Sequence, residues 1–142
     1  RFTMADYMVG EDRLEIVSKM KVLSLAVVES GNEVRFSHVV DALKDFSGRE
    51  LVLKVKALDA DKARKMATFR GNHLFVVAPF LSKDAVLNFA GFKGAMLQVQ
   101  VDEFEGGVSR DVFMPIALDI LKRAGFKGKF GICSKDSCSQ LH

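Results

Sequence analysis

The stretch from residue 73 to residue 79 constrains the fold of this chain more than any other. Residues 74–77 form an unbroken apolar run, Leu-Phe-Val-Val, which is typical of a strand buried on both faces in the middle of a parallel sheet. A Gly-Asn pair lies just before the run and Pro79 follows it, so its length suits a strand rather than a helix. Helical patterns at about 59–70 and 82–90 flank the run and indicate a βαβ unit.

Apolar periodicity predicts that strands and helices alternate along the rest of the chain. Strands are predicted at 22–28, 51–57, 97–101, 108–113 and 129–132, and helices at 36–46 and 115–124. Residues 1–21 fit either a short helix or a strand, and we favour the helix. The strand at 108–113 is expected to pair with its predecessor.

This order of elements predicts the fold class. Regular alternation of strands and helices implies right-handed parallel crossovers. We therefore expect one α/β domain over residues 1–142, a three-layer sandwich with a mostly parallel central sheet and an antiparallel C-terminal addition. We expect no internal repeat. The strand at 51–57 alternates apolar residues with lysines, which predicts a position nearer the edge of the sheet.

The charge balance bears on the kind of partner. Twenty-one basic and eighteen acidic residues are interspersed and leave a net charge of +3, which predicts a solvated, mildly basic surface rather than a nucleic-acid footprint. No apolar run approaches the roughly 18 to 20 residues needed to cross a bilayer, so we expect no direct membrane insertion. The chain begins at Arg1, which either removal of a signal peptide or a cut in a longer sequence would explain.

Catalytic and cofactor motifs do not stand out in the sequence. The loop after the first strand has one glycine where a dinucleotide-binding fingerprint needs three, and no Walker A sequence is present. The three histidines, His38, His73 and His142, have no metal-ligand spacing, and no nucleophile motif accompanies them. We therefore expect a protein without catalytic residues, metal or cofactor.

Two cysteines lie close together near the C-terminus. The spacing from Cys133 to Cys138 is neither that of a thioredoxin-type centre nor that of a haem attachment site, and two cysteines alone cannot close a zinc site. The intervening Ser-Lys-Asp-Ser is turn-forming, so we predict an intramolecular disulfide and, with it, an oxidising compartment. Two free thiols in a reducing compartment are the alternative.

Five residues are candidates for ligand or partner contact. In open α/β sheets, ligands bind in the crevice beyond the carboxyl ends of the strands, where Ser30, Asn32, Pro79 and Phe80 are predicted to lie. Phe80 and Phe104 also lie, together with Phe92, at predicted loop edges, where they could line an apolar contact patch.

Three segments resemble the YfiR-like family of bacterial periplasmic proteins, over about residues 22–126. The first segment, residues 72–77, is a polar residue and a histidine followed by a hydrophobic strand. The second is the double glycine at 106–107 followed by Arg-Asp-Val-Phe at 110–113, and the third is Lys-Arg-Ala-Gly-Phe at 122–126. The resemblance implies a periplasmic regulator without catalysis. The best-known members of the family restrain a membrane-bound diguanylate cyclase by contacting its periplasmic portion.

The residues and the resemblance together lead to a functional expectation. We predict a non-enzymatic, exported binding or regulatory module that acts on an envelope or membrane protein partner, and that could also form a homodimer. A small-molecule-binding protein or enzyme that uses the crevice at the strand carboxyl ends is the alternative.

Overall fold

A computed structural model of the chain describes residues 7–9, 24–28, 49–133 and 138–141, with side chains described for 49–133. Its strands are β1 (Tyr7–Val9), β2 (Ser24–Val28), β3 (Glu50–Lys54), β4 (His73–Val77), β5 (Phe80–Leu81), β6 (Met96–Gln100), β7 (Glu103–Phe104), β8 (Lys129–Cys133) and β9 (Cys138–Leu141). Its helices are α1 (Ala60–Met66), α2 (Lys83–Phe89) and α3 (Arg110–Arg123), with a 3₁₀ turn at Glu105–Gly107. Of residues 1–21, where we favoured a helix, only 7–9 are described, and they form β1, a strand that the sequence pattern did not indicate there. The rest of that segment and the helix predicted at 36–46 lie outside the described residues.

Seven strands form one sheet in the order β1-β2-β3-β4-β6-β8-β9. All neighbouring pairs are parallel except β8 with β9, which are antiparallel. β4 is central, with parallel neighbours on both sides, as predicted. β3 is also interior, between β2 and β4, which corrects its predicted place nearer the edge. Lys54, the lysine within β3, is exposed because it lies on the partly solvated face of the sheet.

The direction of the crossovers decides the number of layers. From β3 to β4, β6 and β8 the chain advances across the sheet in one direction. Right-handed crossovers that advance in one direction place their helices on the same face. α1 packs against α2, and α2 packs against α3, as this rule requires. The α/β class is confirmed. The described part has one large sheet, a two-stranded sheet of β5 and β7, and one helical layer, so the predicted three layers are not confirmed.

The two faces of the sheet differ in burial. The inner face, which is turned to the helices, is almost fully buried and forms the core with the helical side chains; it consists of Leu51, Leu53, Leu74, Val76, Leu97 and Val99. On β3, β4 and β6 the outer face is partly exposed and consists of Glu50, Val52, Lys54, His73, Phe75, Val77, Met96, Gln98 and Gln100. On β8 it is buried at Gly131 and Cys133. The expectation that β4 is buried on both faces is therefore wrong.

The predicted strand at 108–113 is also wrong. The segment begins α3, whose first turn is capped by the Ser109 hydroxyl accepting from the backbone N–H of Val112 (3.3 Å). The buried residues of this helix recur at helical spacing, through Ala117 to Leu121, and this period overrides the short alternation at its start. An antiparallel C-terminal addition exists, but β9 forms it against β8, within a tail for which we predicted no strand.

Equivalent side chains and hydrogen bonds show an internal repeat, which corrects the expectation that there is none. The pattern Phe-x-Gly-x-x-Leu-x-(Leu/Val) begins at residues 46, 69 and 92, with a step of 23 residues each time, and a shortened copy begins at 126. Its leucines, Leu51, Leu74 and Leu97, lie side by side in β3, β4 and β6. Asp59 and Ser82, at the same position of two repeats, cap α1 and α2.

Backbone contacts between neighbouring repeats recur in the same way. His73 donates its backbone N–H to the carbonyl of Arg49 (3.0 Å), and the equivalent Met96 donates to Asn72 (2.9 Å). The phenylalanine rings that open the second and third of these repeats stack with centroids 6.3 Å apart and planes 4° from parallel. Each repeat therefore continues the sheet and the core of the one before it, as in proteins built from stacked units.

Glycine is required where the loops of neighbouring repeats meet. A Cβ on Gly94 would lie 2.4 Å from the carbonyl oxygen of Gly71, and one on Gly128 would lie 2.6 Å from the carbonyl oxygen of Gly94. Both distances are far inside van der Waals contact, and the atoms they meet belong to backbone that is held by the sheet. The close approach of these loops follows from the spacing of about 4.8 Å between neighbouring strands.

We predict that Gly94→Ala destabilises the protein by more than about 2 kcal/mol, because its Cβ would force two backbone segments apart. Gly91→Ala is the matched control, since a Cβ there would meet only the Cβ of Ala67, at 3.8 Å. We expect it to change the free energy of unfolding by less than about 1 kcal/mol. Urea denaturation measures both, and equal effects of the two variants would contradict the repeat contact.

A second prediction tests the assignment of the two faces. Val76→Asp would bury an unpaired carboxylate on the inner face and should cost about 4 kcal/mol or more. Val52→Asp places the same group on the partly exposed outer face of the neighbouring strand, where we expect about 1 to 2 kcal/mol. Thermal unfolding followed by circular dichroism compares the two, and a larger loss for Val52→Asp would reverse the assignment.

Candidate functional site

The structure separates the five predicted contact residues. Ser30 and Asn32 lie outside the described residues. Pro79 lies in the short link between β4 and β5, Phe80 begins β5, and both are exposed, Phe80 by 40%. Phe92, the further candidate for an apolar patch, is buried in the core, with 2% exposed. Phe104 is also buried, with 7% exposed. Its ring centroid lies 5.0 Å from that of Phe113 on α3, which corrects its predicted role in an exposed patch.

The carboxyl edge of the sheet is occupied by protein backbone at the predicted crevice. β5 and β7 pair there as a short second sheet, with Leu81 opposite Phe104. The carbonyl of Pro79 accepts backbone hydrogen bonds from Asp102 (3.3 Å) and Glu103 (3.1 Å). Crevices of this kind form where the strand order reverses, and the described strands from β1 to β8 show no reversal. The geometry therefore gives the crevice little support as a ligand site.

Aligned cross-strand rows make up the outer face. Val52, Phe75 and Gln98 form its middle row, on β3, β4 and β6. Val77 lies between Lys54 and Gln100 in the row nearest the carboxyl edge. Apolar side chains thus occupy interior positions of a face that is only partly buried, with polar and charged groups around them. This arrangement suits contact with another protein surface.

His73 and Glu50 form the one imidazole–carboxylate pair among the described side chains, at the amino end of the outer face. His73 Nδ1 lies 2.8 Å from Glu50 Oε2, and the imidazole stacks on the Phe75 ring, with centroids 6.3 Å apart. Nδ1 therefore donates to the carboxylate. His73 Nε2 is buried and has no hydrogen-bond partner. A general base must reach the proton it removes, and this nitrogen is closed to solvent, so the pair fits a structural role.

The described residues contain no cluster of three or more histidine, cysteine, aspartate or glutamate side chains that could hold a metal ion.

None of the described helices is both long enough and apolar enough to span a bilayer.

Carboxylates at the carboxyl edge serve mainly the starts of helices. Asp59 accepts from the backbone N–H of Lys62 at the start of α1 (2.8 Å), and Glu105 accepts from that of Lys83 at the start of α2 (3.0 Å). The hydrogen bond from the Arg64 side chain lowers the pKa of Asp61 below its usual value, and Lys65 acts in the same direction. Its ionised form therefore adds a small stabilisation that is lost as the pH falls through the lowered pKa.

Cys133 is disulfide-bonded, and no described cysteine is a free thiol. The chain has one other cysteine, Cys138, and its backbone lies directly opposite Cys133 in the antiparallel pair of β8 and β9. Gln98 Nε2 on the outer face approaches the Cys133 sulfur to 4.0 Å. The sulfur therefore lies beside the outer face, at the end of the repeat array.

Comparison with protein-family models, curated proteins and solved structures finds no match to this chain. The resemblance to the YfiR-like family therefore stays a proposal, and the functional argument has to come from the surfaces of the molecule.

Sequence reasoning missed the outer face as a candidate site. The apolar run at 74–77 suggested burial on both sides, so Phe75 and Val77 were assigned to the core. The repeat carries the signal that could have found them. Aligned by its glycine, the repeat places Val52, Phe75 and Gln98 at one variable position between two constant apolar ones. A variable position on a regular face is where repeat proteins place contact residues.

Phe104→Ala tests the correction made above. Removing a buried ring that contacts Phe113 should lower the free energy of unfolding by about 3 to 4 kcal/mol. Phe80→Ala, at the exposed first residue of β5, should cost less than about 1.5 kcal/mol and serves as the control. Chemical denaturation decides between them. A neutral Phe104→Ala would return Phe104 to the list of surface candidates.

Proposed function

We propose that this chain is a non-enzymatic binding module of the cell envelope that regulates or scaffolds a protein partner through the outer face of its sheet. One observation carries the proposal. The interior strands β3 and β4 present Val52, Phe75 and Val77 on a face that the described helices leave partly exposed.

The physical argument starts from the parallel pairing of the strands. Parallel sheets are almost always covered on both faces, whereas sheets with a solvated face are usually antiparallel and carry polar residues there. Here the strands are parallel, and apolar side chains at the centre of the outer face are partly exposed. Covering them with a partner would remove them from water, at about 25 cal/mol for each Å² of apolar surface.

The described part of the outer face is the size of a small contact patch. Its three strands, β3, β4 and β6, lie about 4.8 Å apart and each have five residues at about 3.3 Å per residue, so it spans roughly 240 Å². Stable complexes bury about 800 Å² on each partner, so this face alone suits the smaller, reversible class. Reversible contact is what a regulator needs, because its partner has to be released.

Two further observations support an envelope location and a regulatory role. A disulfide at Cys133 is typical of proteins from oxidising compartments such as the periplasm. The resemblance to the YfiR-like family points to the same compartment and to control of a membrane-bound signalling enzyme.

The alternative is a small-molecule-binding protein or enzyme that uses the carboxyl edge. Exposure of Phe80 is the observation in its favour. The backbone pairing of β5 with β7 over that edge and the unreversed order of the described strands weigh against it.

Photo-cross-linking in cells of the source organism tests the proposal. A photoreactive phenylalanine analogue replaces Phe75 on the outer face. In the control it replaces Leu87, which is 50% exposed on α2 and belongs to the helical layer. We expect position 75 to give a discrete cross-linked envelope protein, identified by mass spectrometry, and position 87 to give none.

The mass of the adduct separates the outcomes of this experiment. An adduct of twice the mass of the chain would identify a homodimer as the occupant of the outer face. The same products from positions 75 and 87, or no product from either position in a folded protein, would reject the outer face as the partner site.

A further inference from the structure

We propose that the amino edge of the sheet is a docking surface for an anionic phospholipid bilayer. This basic edge consists of Arg49, Arg70, Lys93, Lys127 and Lys129, all of which are exposed. The inference is independent of the partner proposed for the outer face.

The internal repeat brings these cations together. Arg70, Lys93 and Lys127 occupy the second position of three repeats, directly before the glycines at which neighbouring loops touch. Each lies four residues after the last residue of a helix. Arg49 and Lys129 lie at the starts of β3 and β8, on the same edge. Because parallel strands start at one edge, the repeat forces these charges into a row.

The described acids do not pair with four cations of this row. No hydrogen bond or ion pair holds the side chains of Arg70, Lys93, Lys127 and Lys129 within the described residues. Three cations in the last turns of helices differ from them. Asp61 pairs with Arg64 and Lys65, and Asp119 pairs with Arg123. The free cations also lie beyond the last helical turn, where attraction to the helix dipole has faded.

Within the described residues, the opposite edge of the sheet is richer in acids. Exposed carboxylates there belong to helix starts and to the loop after β6; they are Asp59, Asp61, Asp84, Asp102, Glu103 and Asp111. Exposed Lys54, Lys56 and Lys83 offset part of their charge. An anionic surface would therefore attract the basic edge, which leaves the outer face roughly perpendicular to that surface.

The shape of the edge favours a bilayer over a nucleic acid. The strands from β3 to β8 are neighbours, so the row spans about 14 Å and its loops end at a common level. Single-stranded nucleic acid is held by basic grooves that also offer aromatic rings for stacking bases. Two of the three rings that directly precede the cations of the repeats, Phe69 and Phe92, are 3% and 2% exposed. The third, Phe126, is partly buried and packs against the core. A row of cations with one partly exposed ring fits a planar anionic surface better than a groove that stacks successive bases.

Vesicle flotation with the purified, disulfide-intact protein tests this inference. Each cation near an anionic bilayer strengthens binding by about fivefold at low salt, so five give weak, salt-sensitive adsorption. We expect binding to vesicles of equal parts phosphatidylglycerol and phosphatidylcholine at low salt, and none to pure phosphatidylcholine. The double variant Lys93→Glu with Lys127→Glu should bind at least about tenfold more weakly.

The matched control is Lys54→Glu with Lys83→Glu, which changes the net charge equally but lies away from the basic edge. We expect it to retain most of the binding, and circular dichroism shows that both variants are folded. Three outcomes would overturn the inference: no binding to the anionic vesicles at low salt, equal loss in the two double variants, or tighter binding to RNA or duplex DNA than to vesicles through the same two lysines.

Discussion

The steady advance of the chain across its sheet is the constraint on which the rest of this structure depends. Each described crossover from β3 to β8 moves one position in the same direction. The helices therefore stack on one face. Each interior strand from β3 to β6 pairs with the preceding strand of the sheet on one side and with the following strand on the other. That sameness lets a sequence unit of 23 residues recur with equivalent hydrogen bonds, and it makes glycine necessary where loops meet at Gly94 and Gly128.

Local features of the sequence were predictable because they depend on neighbours in the chain. The strand at 74–77 and the helices at about 82–90 and 115–124 are present, the last of them as part of a longer helix. Ser82 caps the first of these helices, and the second ends before Gly125, where φ is 90°. Each is set within a few residues by periodicity, by a side-chain acceptor or by a left-handed turn that glycine adopts without strain. The prediction of a strand at 108–113 was wrong because a short alternation of apolar and polar residues there precedes a longer helical period of apolar residues.

Global features were not predictable because local patterns do not encode the direction in which the chain advances across the sheet. Alternating strands and helices fit equally well with a chain that reverses, which gives two helical layers, and with one that does not. The same ambiguity affected the site. The lysines of β3 suggested an edge strand, and the apolar run of β4 suggested burial on both faces, but a partly exposed outer face explains both patterns. Phe104 suggested a surface loop, but its ring contacts Phe113 in the core.

Stacked units also separate stability from recognition. Within each strand the inner positions, such as Leu51, Leu74 and Leu97, are fixed by packing on the helices, while the alternate positions face outward. If the outer face binds the proposed partner, substitution at Phe75 or Gln98 would change that binding with little effect on the core beneath it. The exposed cations of the basic edge, such as Arg70, Lys93 and Lys127, precede the strands and belong to neither face of the sheet. The alternation of side chains along the strands thus determines the outer face, whereas the loops before the strands determine the basic edge, so the two surfaces can vary independently.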